Sequence, residues 1–372
     1  MIYLDYQATT PLAPEAREAM LPYLDGMFGN PHSVHRMGRE AKAAVELARD
    51  RVTALIGGGG RLLFTSGATE ALNLALKGAF AKAPPERRKI VTIATEHAAV
   101  LDTGQWQAGQ GAELVLLPVQ PNGLVDLDRV AEEVDDRTAI VAAMLVNNEI
   151  GVIQPIERIG AIAREKGALF LCDAVQGFGR VPLAAAACDM IAISGHKIHG
   201  PKGIGALWVR EGVGLEPQMH GGGQESGLRS GTLAPALCVG MGVAAQLMED
   251  RRESDTAQVA VLWQRGLAAL GDRWIVNGDV SQRYRGNLNI RLEGLDVGRL
   301  ISDLRDVALS AGSACASGSG RPSHVLKAIG LSDAEARSSI RMGFGRYTTV
   351  EEIDRGVAMI LDAAERQRDL AA

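Results

Sequence analysis

The stretch "LLFTSGATEALNLALKGAFAKA", residues 62–83, passes from an apolar run through a Ser-Gly turn into a segment with helical periodicity. The run "LLF" predicts a buried strand, and the residues from about Thr69 onwards predict a helix that covers it. Six further apolar runs predict strands: "KIVTIAT" (89–95), "AELVLLPV" (112–119), "AIVAAMLVN" (139–147), "ALFLCDAV" (168–175), "MIAISG" (190–195) and "IGALWV" (204–209). Because helix-period segments separate most of them, the sequence predicts an α/β fold with a mostly parallel sheet covered by helices.

The pattern changes after "HGGGQESGLRSGT" (220–232), where a long helical stretch runs from about 234 to 270. Beyond it, "WIVNG" (274–278), "GNLNIRLEG" (286–294) and "SSIRMGFG" (338–345) predict a mixed unit that ends in a helix from about 349. A chain of 372 residues exceeds one ordinary core. We therefore predict a large domain over 14–255 and a smaller α+β domain formed by 1–13 and 256–372.

The composition, with 47% apolar and 22% charged residues, is that of a globular protein with a large core. The net charge of −5 argues against a nucleic-acid or membrane-surface partner. The longest apolar run, 139–146, is too short to span a bilayer, and the start "MIYLDYQATTP" lacks the features of a signal peptide. The cysteines are widely spaced and form no C-x-x-C, so we expect a reducing, cytoplasmic location: Cys172, Cys188, Cys238 and Cys315.

Polar side chains follow three of the predicted strands. Ser66 and Thr69 lie at a strand-to-helix turn that suits an anion, although an ordinary capped turn explains that feature equally well. Lys197 leaves a strand between glycines; a lone lysine is usually a solvated surface charge. Asp173 ends another strand, where a carboxylate often only caps a helix. Together they indicate pyridoxal phosphate, which needs a lysine for a Schiff base, an acid for the pyridinium nitrogen and a helix start for the phosphate.

Two other features remain open on the residues alone. His196 and His199 have a spacing that a metal could use, but no third ligand is evident, so we expect no metal. Cys315 stands in "SAGSACASGSG" (310–320) among serine, alanine and glycine, whereas a structural cysteine usually lies in a packed core. The segment is either a mobile carrier of a reactive thiol or a small-residue turn with an incidental one.

The chain resembles the cysteine desulfurases of the NifS/IscS type, which have the class V aminotransferase fold. This fold belongs to fold type I of the pyridoxal-phosphate-dependent transferases. The motifs that carry the resemblance extend in order over nearly the whole chain: "YLDYQATTP", "FTSGATEALN", "TEHAAVLDT", "VNNEIGVIQPI", "CDAVQGFGRVP", "SGHKIHGPKGIGAL", "HGGGQESGLRSGTL", "SAGSACASG" and "SSIRMGFGRYTT".

The resemblance implies a role for each matching residue. Lys197 would carry the cofactor, Asp173 would pair with its pyridinium nitrogen, Gln176 would bond its ring hydroxyl, and His97 would stack on the ring and has the pKa range for proton transfer. The phosphate would be held by Ala68, Thr69, Ser194 and His196, and by Thr232 of a partner subunit, which implies a homodimer.

The resemblance also implies the substrate site and the reaction. Asn148 would contact cofactor and substrate, and Arg341 would bind the carboxylate of L-cysteine through its bidentate fork. Cys315 would be the nucleophile that takes the sulfur as a persulfide, leaves L-alanine and passes the sulfur to an acceptor such as an iron–sulfur scaffold protein.

Some positions depart from the family pattern. Leu145 stands where many members have histidine, and 224–226 read Gln-Glu-Ser where many have His-Glu-Arg. The chain ends at Ala372 without the longer tail that some members use to dock a scaffold, so the scaffold partner is an expectation of the resemblance alone.

Two other functions compete with this interpretation. The nearer one is a selenocysteine lyase or small-substrate aminotransferase of the same fold, for which Cys315 would be dispensable. The more distant one is a non-catalytic interaction protein, which would not need Lys197, Asp173 and Arg341 together.

Overall fold

The computed structural model describes residues 1–311 and 322–369. The strands are β1 (Ile2–Tyr3), β2 (Gly60–Thr65), β3 (Lys89–Ile93), β4 (Glu113–Leu117), β5 (Thr138–Met144), β6 (Leu169–Asp173), β7 (Met190–Ser194), β8 (Gly205–Arg210), β9 (Ile275–Val276), β10 (Asn287–Arg291), β11 (Val307–Ala308) and β12 (Ser339–Gly343). The α-helices are α1 (Pro14–Leu24), α2 (Arg36–Ile56), α3 (Ala68–Lys82), α4 (Ala98–Ala108), α5 (Leu127–Glu133), α6 (Ile156–Glu165), α7 (Pro235–Asp250), α8 (Arg252–Leu270), α9 (Val297–Asp303), α10 (His324–Ala328), α11 (Asp333–Arg337) and α12 (Val350–Asp369).

A seven-stranded sheet has the strand order β2-β8-β7-β6-β5-β3-β4. Adjacent strands of this sheet are parallel except at β8, which runs antiparallel to both β2 and β7. Every residue of β3, β5 and β7 is buried, because helices cover both faces of the sheet. All seven apolar runs that predict strands form this sheet, which confirms the predicted α/β architecture.

Side chains that alternate along β2 enter two different cores. Leu62 and Phe64 pack with Val45 and Val52 of α2, in the layer that also contains α6 and α7. Leu63 lies in the opposite layer, under α3 and α4. This period of two is the reason why a short apolar strand can support a helix on each side.

A second unit contains the antiparallel sheet β12-β10-β9. Its core joins Leu262 of α8, Leu288 of β10, Ile340 of β12 and Ile360 of α12. The first residues of the chain pack here too, since β1 pairs in parallel with β11 and Leu4 is fully buried in the same cluster. The amino terminus therefore lies beside strands that are more than 300 residues away in sequence.

The helical stretch expected from 234 to 270 is present as two helices, α7 and α8, which are separated by Arg251 alone. The helix breaks at Arg251, which has φ −108° and ψ 9°. The two halves pack in different places: Met241 of α7 lies in the core of the large sheet, whereas Leu262 of α8 lies in the second core. Within the described ranges, no helix has the length and apolarity needed to cross a membrane.

Candidate active site

A cavity of about 1040 Å³ lies at the edge of the large sheet where β2, β5, β6 and β7 end. Ligands of open α/β sheets bind at this edge, beyond the carboxyl ends of the strands. The cavity is lined by all the residues predicted to bind cofactor or substrate except Thr232, namely Ala68, Thr69, His97, Asn148, Asp173, Gln176, Ser194, His196, Lys197 and Arg341. Thr232 is exposed, and Cys315 lies outside the described residues.

Lys197 closes a short 3-10 turn, Gly195–Lys197, that follows β7 directly. Its Nζ donates hydrogen bonds to the carbonyl oxygens of Gln7 and, at 2.9 Å, of Ala8. Burial, together with the nearby positive charges of Arg341 and Arg180, lowers the pKa of Lys197 to about 8. The amine is thus much closer to its neutral, nucleophilic form than a surface lysine is.

Asp173 is the last residue of β6 and is buried. Its Oδ1 accepts a hydrogen bond from the backbone N–H of Val175 at 3.0 Å. Burial raises the pKa of Asp173, while the Val175 N–H, His97 and Lys197 act in the opposite direction. Because burial disfavours the charged form of Asp173, a positive group bound beside it would stabilise the carboxylate. A protonated pyridine nitrogen is such a group.

The anion site is the turn between β2 and α3. Gly67 caps α3, so the N–H groups of the first turn have no side-chain cap. The turn packs closely on β8: a Cβ on Gly205 would lie 2.7 Å from the backbone carbon of Gly67, so this contact requires glycine. His196 also lines the cavity, with Nδ1 3.1 Å from Thr9 Oγ1, and burial lowers the pKa of His196 to about 4. A neutral imidazole and free helix N–H groups suit a phosphate.

His97 is held by its position at the start of α4. Its Nδ1 accepts a hydrogen bond from the backbone N–H of Ala99 at 3.1 Å. The neutral ring therefore carries its proton on Nε2. Gln176 is held as well, since its Nε2 donates to the carbonyl oxygen of Gln7 at 2.9 Å and its Oε1 accepts from Arg180 at 3.2 Å.

Arg341 is buried in the middle of β12, with a side chain that is 2% exposed. Its Nη1 donates to the carbonyl oxygen of Asn148 at 2.9 Å, and its Nη2 donates to Asp5 Oδ1 at 2.8 Å. Its Nε has no hydrogen-bond partner among the residues that the structure describes. A buried guanidinium with donors to spare is a site for a carboxylate, because burying such a charge without partners is costly.

Residues 2–355 match the family model of the class-V aminotransferases. The cysteine desulfurase IscS of Rickettsia bellii is 47% identical to the chain over its full length and over 92% of that protein. The chain belongs to the class-V aminotransferases, in the cysteine desulfurase branch. Among solved structures, a NifS-like protein superposes with a TM-score of 0.90 and 31% identity over 99% of both chains. The structure of SspA in complex with cysteine gives a TM-score of 0.84 and 35% identity over 94% of this chain and 100% of that one. These findings confirm the predicted fold and family.

The three cysteines other than Cys315 are buried: Cys172, Cys188 and Cys238. Burial raises the pKa of the Cys238 thiol to about 12. The pKa of Cys172 is also raised, first by its contact with Cys188 and then by burial. Thiols of this kind are poor nucleophiles at neutral pH, because the thiolate is the reactive form.

Residues that the sequence did not single out also contribute to the site, among them Gln7 and His324, which line the cavity, and Asp5, which contacts Arg341. Gln7 acts through its backbone carbonyl, which any residue type could supply. His324 lines the cavity, and its Nε2 lies 2.9 Å from the carbonyl oxygen of Glu96. Asp5 belongs to the motif "YLDYQATTP", which is the only sequence signal for it.

Proposed function

We propose that this chain is a pyridoxal-phosphate-dependent cysteine desulfurase that converts L-cysteine to L-alanine and carries the released sulfur as a persulfide on Cys315. The observation that carries the proposal is the single cavity that holds Lys197, Asp173 and Arg341 together. A lysine of lowered pKa, a buried acid and a buried guanidinium are the groups that such a reaction needs on one amino-acid substrate.

The residues fit the cofactor. The turn at Ala68 and Thr69, with Ser194 and His196, would hold the phosphate, and Asp173 would hold the pyridinium nitrogen. When bound, pyridoxal phosphate supplies an electron sink for the amino acid. Gln176 would hold the ring hydroxyl, and His97 would lie against the ring face.

Lys197 is suited to covalent attachment and to proton transfer. With a pKa of about 8, its amine can give up and take back a proton near neutral pH. The carbonyl oxygens of Gln7 and Ala8 fix its position within the cavity. His97, whose Nε2 carries the ring proton, is a second group that can donate to a developing negative charge.

Arg341 and Asn148 would orient the substrate through its carboxylate. The thiolate of Cys315 would then attack the sulfur of the bound cysteine. A new S–S bond forms with the electron pair of the thiolate, the C–S bond breaks, and the pair left on carbon takes up a proton to give alanine. A thiol of an acceptor protein removes the outer sulfur and regenerates Cys315; an iron–sulfur scaffold is one such acceptor. We place the enzyme in a reducing cytoplasm, because the three described cysteines, Cys172, Cys188 and Cys238, are free thiols.

We also propose that the enzyme acts as a homodimer. Thr232 is exposed and does not line the cavity of its own subunit, so it is free to complete the phosphate site of a partner. The segment from α1 to the start of α2 carries apolar side chains that a second copy would cover: Leu24 is 65% exposed, Phe28 75% and Val34 88%.

The purified protein should be yellow, and it should form L-alanine and, with a thiol reductant, sulfide in equal amounts from L-cysteine. Lys197→Ala should abolish both products. Alanine formed from selenocysteine but not from cysteine would identify a selenocysteine lyase, and amino-group transfer to a keto acid would identify an aminotransferase.

A further inference from the structure

Arg341 has a carboxylate partner within the chain. Asp5 Oδ1 accepts a hydrogen bond from Arg341 Nη2 at 2.8 Å and a second one from the hydroxyl of Ser310 at 2.9 Å. Ser310 is tied to Arg341 through the backbone as well, by an N–H to O bond in each direction of 3.2 and 2.7 Å. Asp5 Oδ1 is therefore hydrogen-bonded both to the guanidinium of Arg341 and to Ser310, the residue that pairs with Arg341 through the backbone.

The backbone fixes Asp5 independently of any ligand. The residue before it, Leu4, donates its N–H to Ala308 at 2.8 Å and accepts from the N–H of Gly343 at 2.7 Å. The residue after it, Tyr6, donates to the carbonyl of Gly343 at 3.2 Å. The segment 4–6 is thus hydrogen-bonded to β11 on one side and to β12 on the other. The packing against β12 is close, since a Cβ on Gly343 would collide with Gln7 Oε1. Asp5 has little freedom to move away from Arg341.

We propose that Asp5 is a positioning residue that orients the guanidinium of Arg341 toward the substrate carboxylate; this inference rests on the proposed function of Arg341. A guanidinium has five N–H donors. Two are used by Asp5 and the Asn148 carbonyl, which belong to different parts of the fold, and they fix the plane of the group. Three N–H donors remain for a ligand, and Arg341 is among the residues that line the cavity. Asp5 also balances the buried positive charge of Arg341, which is costly to bury without a partner.

The chain contains a matched control pair, Arg346 with Asp255. The arginine side chains are 2% and 3% exposed and the aspartates 17% and 19% in the two pairs. The nitrogen–oxygen distance is 2.8 Å between Arg341 and Asp5 and 2.7 Å between Arg346 and Asp255. Neither Arg346 nor Asp255 lines the cavity. Asp255→Asn therefore loses a similar half-buried ion pair without any contact to substrate.

The experiment compares holoenzyme variants with three probes: L-cysteine, L-alanine and cysteamine, which keeps the thiol and the amine of cysteine but has no carboxylate. For Asp5→Asn we expect KM for L-cysteine to rise about tenfold with little change in kcat, as befits a weakened charge-assisted bond. The dissociation constant of L-alanine, read from the cofactor absorbance, should rise by the same factor. The constant for cysteamine should not change, and Asp255→Asn should change none of the three.

Three outcomes would overturn the proposal. An unchanged KM in Asp5→Asn means that Arg341 orients itself. Tighter binding of L-alanine means that Asp5 competes with the substrate. Equal losses for L-alanine and cysteamine mean general damage to the site. If Asp5→Asn does not fold, Ser310→Ala, which removes one partner of the same oxygen, should still raise the L-alanine constant about twofold. A wild-type protein without desulfurase activity would refute the proposed function, whereas the L-alanine titration would still test Asp5.

Discussion

The pKa of Lys197 predicts how fast the protein free of cofactor captures pyridoxal phosphate at each pH. An ordinary lysine titrates at about 10.5, and burial beside Arg341 and Arg180 lowers the pKa of Lys197 to about 8. At pH 7 the neutral fraction of the amine is then about 10%, against about 0.03% for an exposed lysine, a gain of about 300-fold. Only the neutral amine attacks an aldehyde. The capture rate should rise about tenfold per pH unit below pH 8 and become level above it.

The assay is stopped-flow mixing of the cofactor-free protein with pyridoxal phosphate from about pH 6 to pH 10, followed through the absorbance of the protein-bound cofactor. A rate that keeps rising to pH 10 would show that Lys197 titrates like a surface lysine and would refute the reasoning. The same shift affects stability. The folded pKa lies below the unfolded one, so protonation of Lys197 opposes folding below pH 8 and this penalty disappears between about pH 8 and 10.5. Relative to a Lys197→Met variant, the wild type should gain about 3 kcal/mol across that window.

Two substitutions test the other groups of the cavity. Lys197→Ala should lose the reducible covalent link to the cofactor while the protein stays folded, since Lys202, the other lysine among the described lining residues, is exposed. Borohydride reduction followed by mass spectrometry measures this, and a retained adduct would refute the assignment. Arg341→Ala should weaken L-cysteine binding by about 2 to 4 kcal/mol while cofactor affinity changes far less, as measured by titration of cofactor absorbance; undiminished L-cysteine affinity would show that Arg341 has another role.

The central strands of the large sheet were predictable because a strand buried on both faces must be apolar along its whole length, and "AIVAAM" in β5 satisfies that rule without further context. The break at Arg251 was not predictable in the same way. Both halves of 234–270 have helical periodicity, and the break follows from which core each half packs against, a relation between segments that are distant in sequence.

The candidate site shows the same division. Asp173 ends β6 and Lys197 closes the turn after β7, so the position of both at the carboxyl edge of the sheet could be predicted from topology. The contact between Asp5 and Arg341 joins residues 336 positions apart, and nothing local marks it. The hydrogen bond from Lys197 Nζ to Gln7 is accepted by the backbone carbonyl oxygen of Gln7. Because every residue type has such a carbonyl, the sequence does not indicate this contact.

The measurement that tests the central claim most directly is peptide mass spectrometry of the wild-type enzyme after brief exposure to L-cysteine alone. We predict one additional sulfur on Cys315 and none on Cys172, Cys188 or Cys238, because those thiols are buried and the pKa values of Cys172 and Cys238 are raised. Cys315→Ala should still show a change in cofactor absorbance with L-cysteine but should release no alanine. An additional sulfur on another cysteine, or normal alanine release by Cys315→Ala, would contradict the account.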